Sequence, residues 1–100
     1  MTESELEEAV AAECRRLGIA RFHFSIRSPR AASCPPGWPD EVLVGRRGIL
    51  WRELKNPSRK PTPAQNRVKW RLRAAGANVE VWRPADLYSG RIRRELEAIA

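Results

Sequence analysis

Two acidic residues and one lysine are the part of this sequence best suited to chemistry. Asp40 follows a proline, and Glu53 and Lys55 stand further along the chain in the triplet Glu-Leu-Lys. Carboxylate oxygens held close together are ligands for hard divalent cations such as Mg²⁺ and Mn²⁺. An ammonium group beside such an ion can orient an attacking water or stabilise charge that develops on a phosphate. The three residues therefore predict metal-dependent phosphodiester hydrolysis, provided that the fold brings them together.

A β-hairpin between Asp40 and Glu53 would meet that condition. Two apolar runs, 42–44 and 49–54, are joined by a pair of arginines with a glycine on each side, which is typical of a tight turn. If the turn is centred between the two arginines, Asp40 lies opposite Glu53, with Cβ atoms about 4.5–5.5 Å apart. Side chains alternate across a strand, so Lys55 shares their face. A one-residue bulge would break this register, and the alternative interpretation is an exposed ion pair of little energetic value.

The other patterns along the chain predict one α/β domain, residues 1–100, in which helices flank a mixed four-stranded sheet. Apolar residues at helical or alternating spacing, with capping and turn residues between them, define the elements in the order α-β-β-β-α-β-α. They are a helix from Thr2 or Ser4 to Gly18, a strand over 22–26, hairpin strands over 42–44 and 49–54, a helix from Thr62 to Gly76, a strand over 79–82 and a helix over 91–100.

Helical spacing and residue type also predict the core. We expect the helix that starts at Thr62 to bury one apolar stripe, and three of the four tryptophans to be core residues in so small a domain. Trp38, beside Asp40, could instead stack on a base or wall a metal pocket. The predicted stripe is Ala64, Val68, Leu72 and Ala75, and the predicted core tryptophans are Trp51, Trp70 and Trp82.

A formal net charge of +7 on 100 residues, most of it from arginine, favours a polyanionic partner. Arginine makes bidentate contacts with phosphate, which suits nucleic acid. For any single cation the alternative is a solvated surface residue. The candidates for phosphate contacts, all in predicted loops or at the hairpin tip, are Arg27, Arg30, Arg46, Arg47, Arg59 and Lys60.

The remaining composition argues against several other classes of protein. Cys14 and Cys34 form neither a disulfide framework nor a zinc motif, and His23, the one histidine, is more often structural than catalytic in such a setting. The acidic N-terminus predicts neither a secretory signal nor a transit peptide, and no apolar run has membrane-spanning length. We therefore expect a cytoplasmic protein without a membrane partner or an organic cofactor.

Several motifs resemble the virus-type replication-repair nuclease (VRR-Nuc) branch of the PD-(D/E)XK superfamily. They are Gly37-Trp38-Pro39-Asp40, Glu53-Leu54-Lys55 and Thr62-Pro63-Ala64-Gln65, and residues 75–86 are similar to the ending of stand-alone phage members. The resemblance covers nearly the whole chain. It implies a restriction-endonuclease-like fold and a Mg²⁺- or Mn²⁺-dependent endonuclease that selects branched DNA, such as four-way junctions or flaps. It also implies a homodimer, in the host cytoplasm if the protein is phage-encoded.

The same resemblance implies roles for individual residues. Metal ligands would be Asp40, Glu53 and the main-chain carbonyl of Leu54, while Lys55 would activate the water and Gln65 would support the site. Gln65 also fits the third helical position of a capping box, and the two roles are compatible. A first-helix glutamate would lie near the metal, with Glu7 the best match and Glu3 and Glu5 as alternatives.

Two other functions remain open on sequence grounds. A non-catalytic nucleic-acid-binding module would bind DNA without cutting it when Mg²⁺ or Mn²⁺ is added. A basic structural or assembly protein would bind without regard to branching and would lose affinity steeply with salt.

Overall fold

Four strands and four helices make up the part of the chain that the structure, a computed structural model, describes, residues 1–24 and 36–100. In chain order they are α1 Glu3–Leu17, β1 Ala20–His23, β2 Glu41–Val44, β3 Ile49–Leu54, α2 Pro63–Ala74, β4 Val79–Trp82, α3 Pro84–Tyr88 and α4 Arg91–Ile99. The predicted order is confirmed, with α3 as an additional short helix. The first strand was predicted to reach residue 26, but β1 ends at His23, and Ile26 lies outside the described residues.

The strands form one mixed sheet in the order β1-β2-β3-β4. The β1–β2 and β2–β3 pairs are antiparallel, and β3 and β4 are parallel. In the hairpin, Val44 lies opposite Ile49 and Val42 opposite Trp51, which confirms the predicted register. A tight turn without a bulge is what permits this pairing. The register carries Asp40, just before β2, toward Glu53 near the end of β3.

Local sequence explains where α1 and α2 begin. Thr2 and Thr62 are the N-caps, and each accepts a hydrogen bond from the third helical residue while the side chain of that residue, Glu5 or Gln65, accepts one in return. These reciprocal bonds satisfy backbone N–H groups that a helix start leaves without partners. At the other end of α1, Gly18 adopts a left-handed conformation with φ 70°, as a helix-terminating glycine should.

The hydrophobic core lies on one face of the sheet, under α1 and α4. Leu43, Leu50 and Trp82 supply the sheet side of this core, and all are at most 2% exposed. Burial of Trp82 confirms its predicted place in the core. The helix side consists of Leu6, Val10 and Cys14 from α1 and Ile92, Leu96 and Ile99 from α4.

The opposite face is covered much less, and here the predicted core was wrong. Helix α2 packs mainly against β4 and buries none of its residues, so the stripe predicted at Ala64, Val68, Leu72 and Ala75 is only half-buried, with Ala75 exposed. Trp51 is half-buried, and Trp70 is 64% exposed. Helical spacing shows which side of α2 turns inward, but burial also requires a layer to pack against, and α2 lies over one edge of the sheet.

Cys14 is a free, buried thiol, in keeping with its apolar position. Within residues 1–24 and 36–100, none of the helices has the length and apolar content needed to cross a membrane.

Candidate functional site

Asp40 and Glu53 meet where the hairpin strands leave the sheet. The main-chain N–H of Asp40 donates to Glu53 Oε2 at 3.3 Å, and the N–H of Leu54 donates to Asp40 Oδ2 at 3.0 Å. The predicted juxtaposition of the two acids is thus present, since the hairpin register sets residue 40 against residue 53. Leu54 contributes its N–H to this contact, and its carbonyl as a metal ligand stays a prediction.

Lys55 and Gln65 complete the cluster around Glu53. The Nζ atom of Lys55 lies 3.4 Å from Glu53 Oε1, although Lys55 is only 3% exposed. Gln65 Nε2 donates to the same Oε1 at 2.6 Å, while Gln65 Oε1 accepts from the N–H of Thr62 at 2.9 Å. One glutamine side chain therefore caps α2 and holds a site carboxylate. The helix cap fixes the rotamer that reaches Glu53.

Burial gives this cluster unusual electrostatics. Burial, together with the negative charge of nearby Asp40, raises the pKa of Glu53 to about 8, against a partial lowering by Lys55. Burial also raises the pKa of Asp40. Two carboxylates removed from water repel each other, so the pair holds a proton or a cation at neutral pH. A strongly shifted pKa beside a specific charge partner is a mark of functional sites.

The carboxylate oxygens of this cluster are suitable ligands for a hard divalent cation. Mg²⁺ is usually held by one or two carboxylates, with waters and substrate phosphate oxygens as its other ligands. Asp40 and Glu53 supply such a pair. In the described part of the chain, no group of three or more histidine, cysteine, aspartate or glutamate side chains forms a cage for a metal. Substrate and water would therefore complete the coordination.

A close backbone contact fixes the segment that carries Asp40. Gly37 has φ 99°, and a Cβ atom at this position would lie 2.4 Å from the backbone carbon and oxygen of Ala64. Only glycine fits there. The chain before Asp40 is thus packed directly on the first turn of α2, from which Gln65 reaches the site.

Glu3 and Glu7 of α1 form hydrogen bonds with residues outside this cluster. Glu7 accepts a hydrogen bond from Arg21 at 2.8 Å, on the side of the sheet that α1 covers. Glu3 contacts the backbone next to the site. Its side chain accepts a hydrogen bond from the N–H of Asn56, the residue directly after Lys55, at 3.3 Å. Neither glutamate is a hydrogen-bond partner of Asp40 or Glu53, and their role toward a metal stays a prediction.

The predicted phosphate-binding cations fall into three groups. Arg46 and Arg47 form the hairpin tip, about 20 Å along the strand from Asp40, and Arg47 donates to the carbonyl of Glu97 at 2.9 Å. Arg59 and Lys60 are exposed in the loop that follows Lys55. Arg27 and Arg30 lie outside the described residues.

A buried polar network on the opposite face of the sheet was not foreseen. Glu41 is fully buried, accepts from Arg21 Nε at 2.7 Å and lies 3.0 Å from His23 Nδ1. These contacts tie β1 to the start of β2 next to Asp40. The lone position of His23 in the first strand hinted at a structural role, but its partner depended on a strand register that the sequence does not reveal.

Arg83 is a second residue that sequence reasoning missed. Its guanidinium donates to the carbonyl oxygens of Asn56 at 2.8 Å and Arg59 at 2.7 Å. These two hydrogen bonds fix the loop between Lys55 and α2 in place. A single arginine after a strand carries no sequence signal for such a contact.

Comparison with known proteins agrees with this fold. The chain matches no protein-family model and no curated protein. Among solved structures, it is similar to one named "VRR_NUC domain", with a TM-score of 0.72 and 24% identity over 100% of both chains. It is also similar to a "VRR_NUC domain protein", with a TM-score of 0.72 and 22% identity over 98% of this chain and 90% of that one. At this level of identity the likeness establishes the architecture, and the chain has the fold of VRR_NUC domains.

Proposed function

We propose that this protein is a divalent-metal-dependent nuclease of the VRR-Nuc type, which hydrolyses phosphodiester bonds in DNA. The observation that carries the proposal is the convergence of Asp40, Glu53 and Lys55 at the end of the hairpin, with Gln65 holding Glu53 from α2. The likeness in fold to VRR_NUC domains supports it. The net charge of +7 supports a polyanionic substrate.

Each site residue has a distinct task in this proposal. Asp40, Glu53 and the carbonyl of Leu54 would hold Mg²⁺ or Mn²⁺, which supplies Lewis acidity at the scissile phosphate and lowers the pKa of a bound water. Lys55 places its ammonium group beside Glu53, where it can orient the attacking water. Gln65 fixes the orientation of Glu53, so that less ordering is needed when the substrate binds.

We further propose that the substrate is branched DNA, such as a four-way junction or flap, and that two chains act on it together. One domain of this size covers little DNA, so paired cuts in a junction require two sites. An open sheet face, on the same side of the sheet as Asp40, could supply the contact between chains. Phe22 is 53% and Ile49 43% exposed on this face, and exposed apolar patches mark interaction surfaces. The open sheet face consists of Phe22, Val42, Val44, Ile49 and Trp51.

A cleavage assay on labelled four-way, flap, single-stranded and duplex DNA with Mn²⁺ tests the proposal. We expect wild-type protein to cut branched DNA fastest. Asp40→Asn, which removes a metal ligand, and Lys55→Met, which removes the group that orients the water, should each lower the rate at least about 100-fold. Glu97→Gln, which changes an exposed α4 carboxylate, is the matched control and should leave the rate unchanged.

The products separate the remaining possibilities. Paired symmetric cuts in a junction support two chains acting together, whereas independent single nicks contradict the dimer. DNA binding without cleavage at any Mn²⁺ or Mg²⁺ concentration would identify a non-catalytic binding module. Equal cleavage by wild type and both site variants would show that the site lies elsewhere.

A further inference from the structure

The outer face of α2 has an unusual composition. The helix contains four cations and no acidic residue, whereas α1 contains five glutamates. In its middle, Trp70 is 64% exposed. A large exposed aromatic ring among cations is uncommon on a solvated surface, because moving a tryptophan ring out of water lowers the free energy. The four cations are Arg67, Lys69, Arg71 and Arg73.

Positions three and four apart lie on the same side of a helix, so Arg67, Trp70 and Arg71 form one stripe. We call these three residues the α2 stripe. All three are exposed, and within residues 1–24 and 36–100 neither arginine of the stripe forms an ion pair with a carboxylate. The one pair that α2 makes in that part of the chain is between Arg73 and Glu80, and Arg73 also stands over the Trp70 ring at 5.6 Å. The stripe arginines thus keep their charge available for an anion.

The arginines of the α2 stripe border the segment that leads to Asp40. Arg67 and Arg71 line one groove together with Pro36, four residues before Asp40. Arg71 also lines a groove of about 250 Å³ with Trp38, which stands two residues before Asp40. A strand that leaves the site can therefore follow this groove to the α2 stripe.

We propose that the α2 stripe binds an unpaired segment of a nucleic-acid strand, with a base stacked on Trp70 and phosphates on Arg67 and Arg71. An indole face can stack only on a base that is free of its neighbours, which favours a single strand over a duplex. The charge of the stripe favours phosphate, and its small apolar area, one ring, is too small for a stable protein interface. The proposal deepens the proposed function, because it assigns the stripe to the unpaired part of a branched substrate.

Binding can be tested apart from catalysis. The 100-residue chain in EDTA is titrated against fluorescein-labelled dT15 and against a blunt duplex of equal length, with anisotropy as the signal. We expect Trp70→Ala to weaken dT15 binding about 10-fold and duplex binding much less, and Trp70→Phe to recover most of the loss. Arg67→Ala and Arg71→Ala should each weaken binding and reduce the salt dependence by about one counterion.

Two matched controls exclude a general effect of removing any exposed aromatic ring or any exposed arginine. Tyr88→Ala removes an aromatic ring that is 72% exposed on α3, and Arg15→Ala removes an exposed arginine from α1. Both should leave dT15 affinity within about twofold of wild type. The proposal is overturned if Trp70→Ala leaves dT15 affinity unchanged, weakens the duplex equally, or acts no more strongly than Tyr88→Ala. It is also overturned if polyglutamate competes with dT15 in a Trp70-dependent way.

The assay remains informative whichever way the cleavage experiment ends. Because EDTA removes the metal, a protein that cuts nothing can still show Trp70-dependent binding, which would reject the nuclease and keep the stripe. Conversely, cleavage of branched DNA by Trp70→Ala at the wild-type rate and KM, with unchanged dT15 affinity, would keep the nuclease and reject the stripe.

Discussion

Glu53→Gln is expected to abolish DNA cleavage and, at the same time, to stabilise the metal-free protein at pH 8. The pKa of Glu53 in the folded protein is about 8, above its ordinary value of 4.5, because the carboxyl is buried beside Asp40. Between these two pH values the folded state keeps a proton that the unfolded state has released. The free energy of unfolding therefore falls as pH rises from 4.5 to 8. Glutamine cannot ionise, so the variant lacks this part of the decline.

Thermal and urea unfolding of metal-free wild type and Glu53→Gln at pH 5 and pH 8 measures the effect. We expect the two proteins to be similar at pH 5, and the variant to be more stable by on the order of 2–4 kcal/mol at pH 8, given 1.36 kcal/mol per pKa unit. Glu41, whose pKa burial also raises, is present in both proteins on the other face of the sheet, so its contribution cancels. A variant that is less stable than wild type at pH 8 would show that Glu53 is not held under electrostatic strain.

Arg52→Ala is expected to destabilise the fold by about 2–5 kcal/mol, because it empties a buried site and removes the ion pair with the partly exposed Glu95. Arg52 is 1% exposed, and its guanidinium lies 5.1 Å from the centre of the Trp82 ring. It donates to the carbonyl of Asn78 at 2.8 Å and to Glu95 Oε1 at 2.8 Å. Alanine would remove the guanidinium from both acceptors, which keep one main-chain or indole donor each, and would open a cavity between the sheet and α4.

Urea denaturation followed by tryptophan fluorescence tests this expectation, with a double variant as the informative control. In Arg52→Met with Glu95→Leu, both charges are replaced by apolar side chains of similar length, and such replacements of buried pairs are often close to neutral. Some loss of stability will remain in the double variant, because Trp82 Nε1 donates to Glu95 at 2.9 Å and would lose this acceptor. If Arg52→Ala costs less than about 1 kcal/mol, the buried arginine does not join the sheet to α4.

The site was largely predictable because its position depends on local signals. A glycine-flanked pair of arginines sets the hairpin turn, the turn sets the register, and the register sets Asp40 against Glu53. The position of Gln65 was equally predictable, since the capping box at Thr62 fixes the helix start. Each step uses residues close in sequence, where turn and capping preferences are strong.

Features that depend on packing between residues distant in sequence could not be predicted in the same way. Trp70 resembles a core residue by type, and only the position of α2 over one edge of the sheet leaves it exposed. The partners of Glu41 depend on the register between β1 and β2, which no short turn fixes. Helix α3, by contrast, had an overlooked signal in Pro84 at its first position and Asp86, which accepts from the N–H of Arg83.

Calorimetric titration of the wild-type protein with Mn²⁺ tests most directly whether Asp40 and Glu53 together hold a divalent cation. We expect one ion per chain, with an affinity that rises up to about 10-fold per pH unit between pH 6 and 8, because binding releases the proton held by Glu53. Asp40→Asn should abolish this binding. Binding of Mn²⁺ that Asp40→Asn leaves intact, or no binding by wild type at pH 8, would contradict the account.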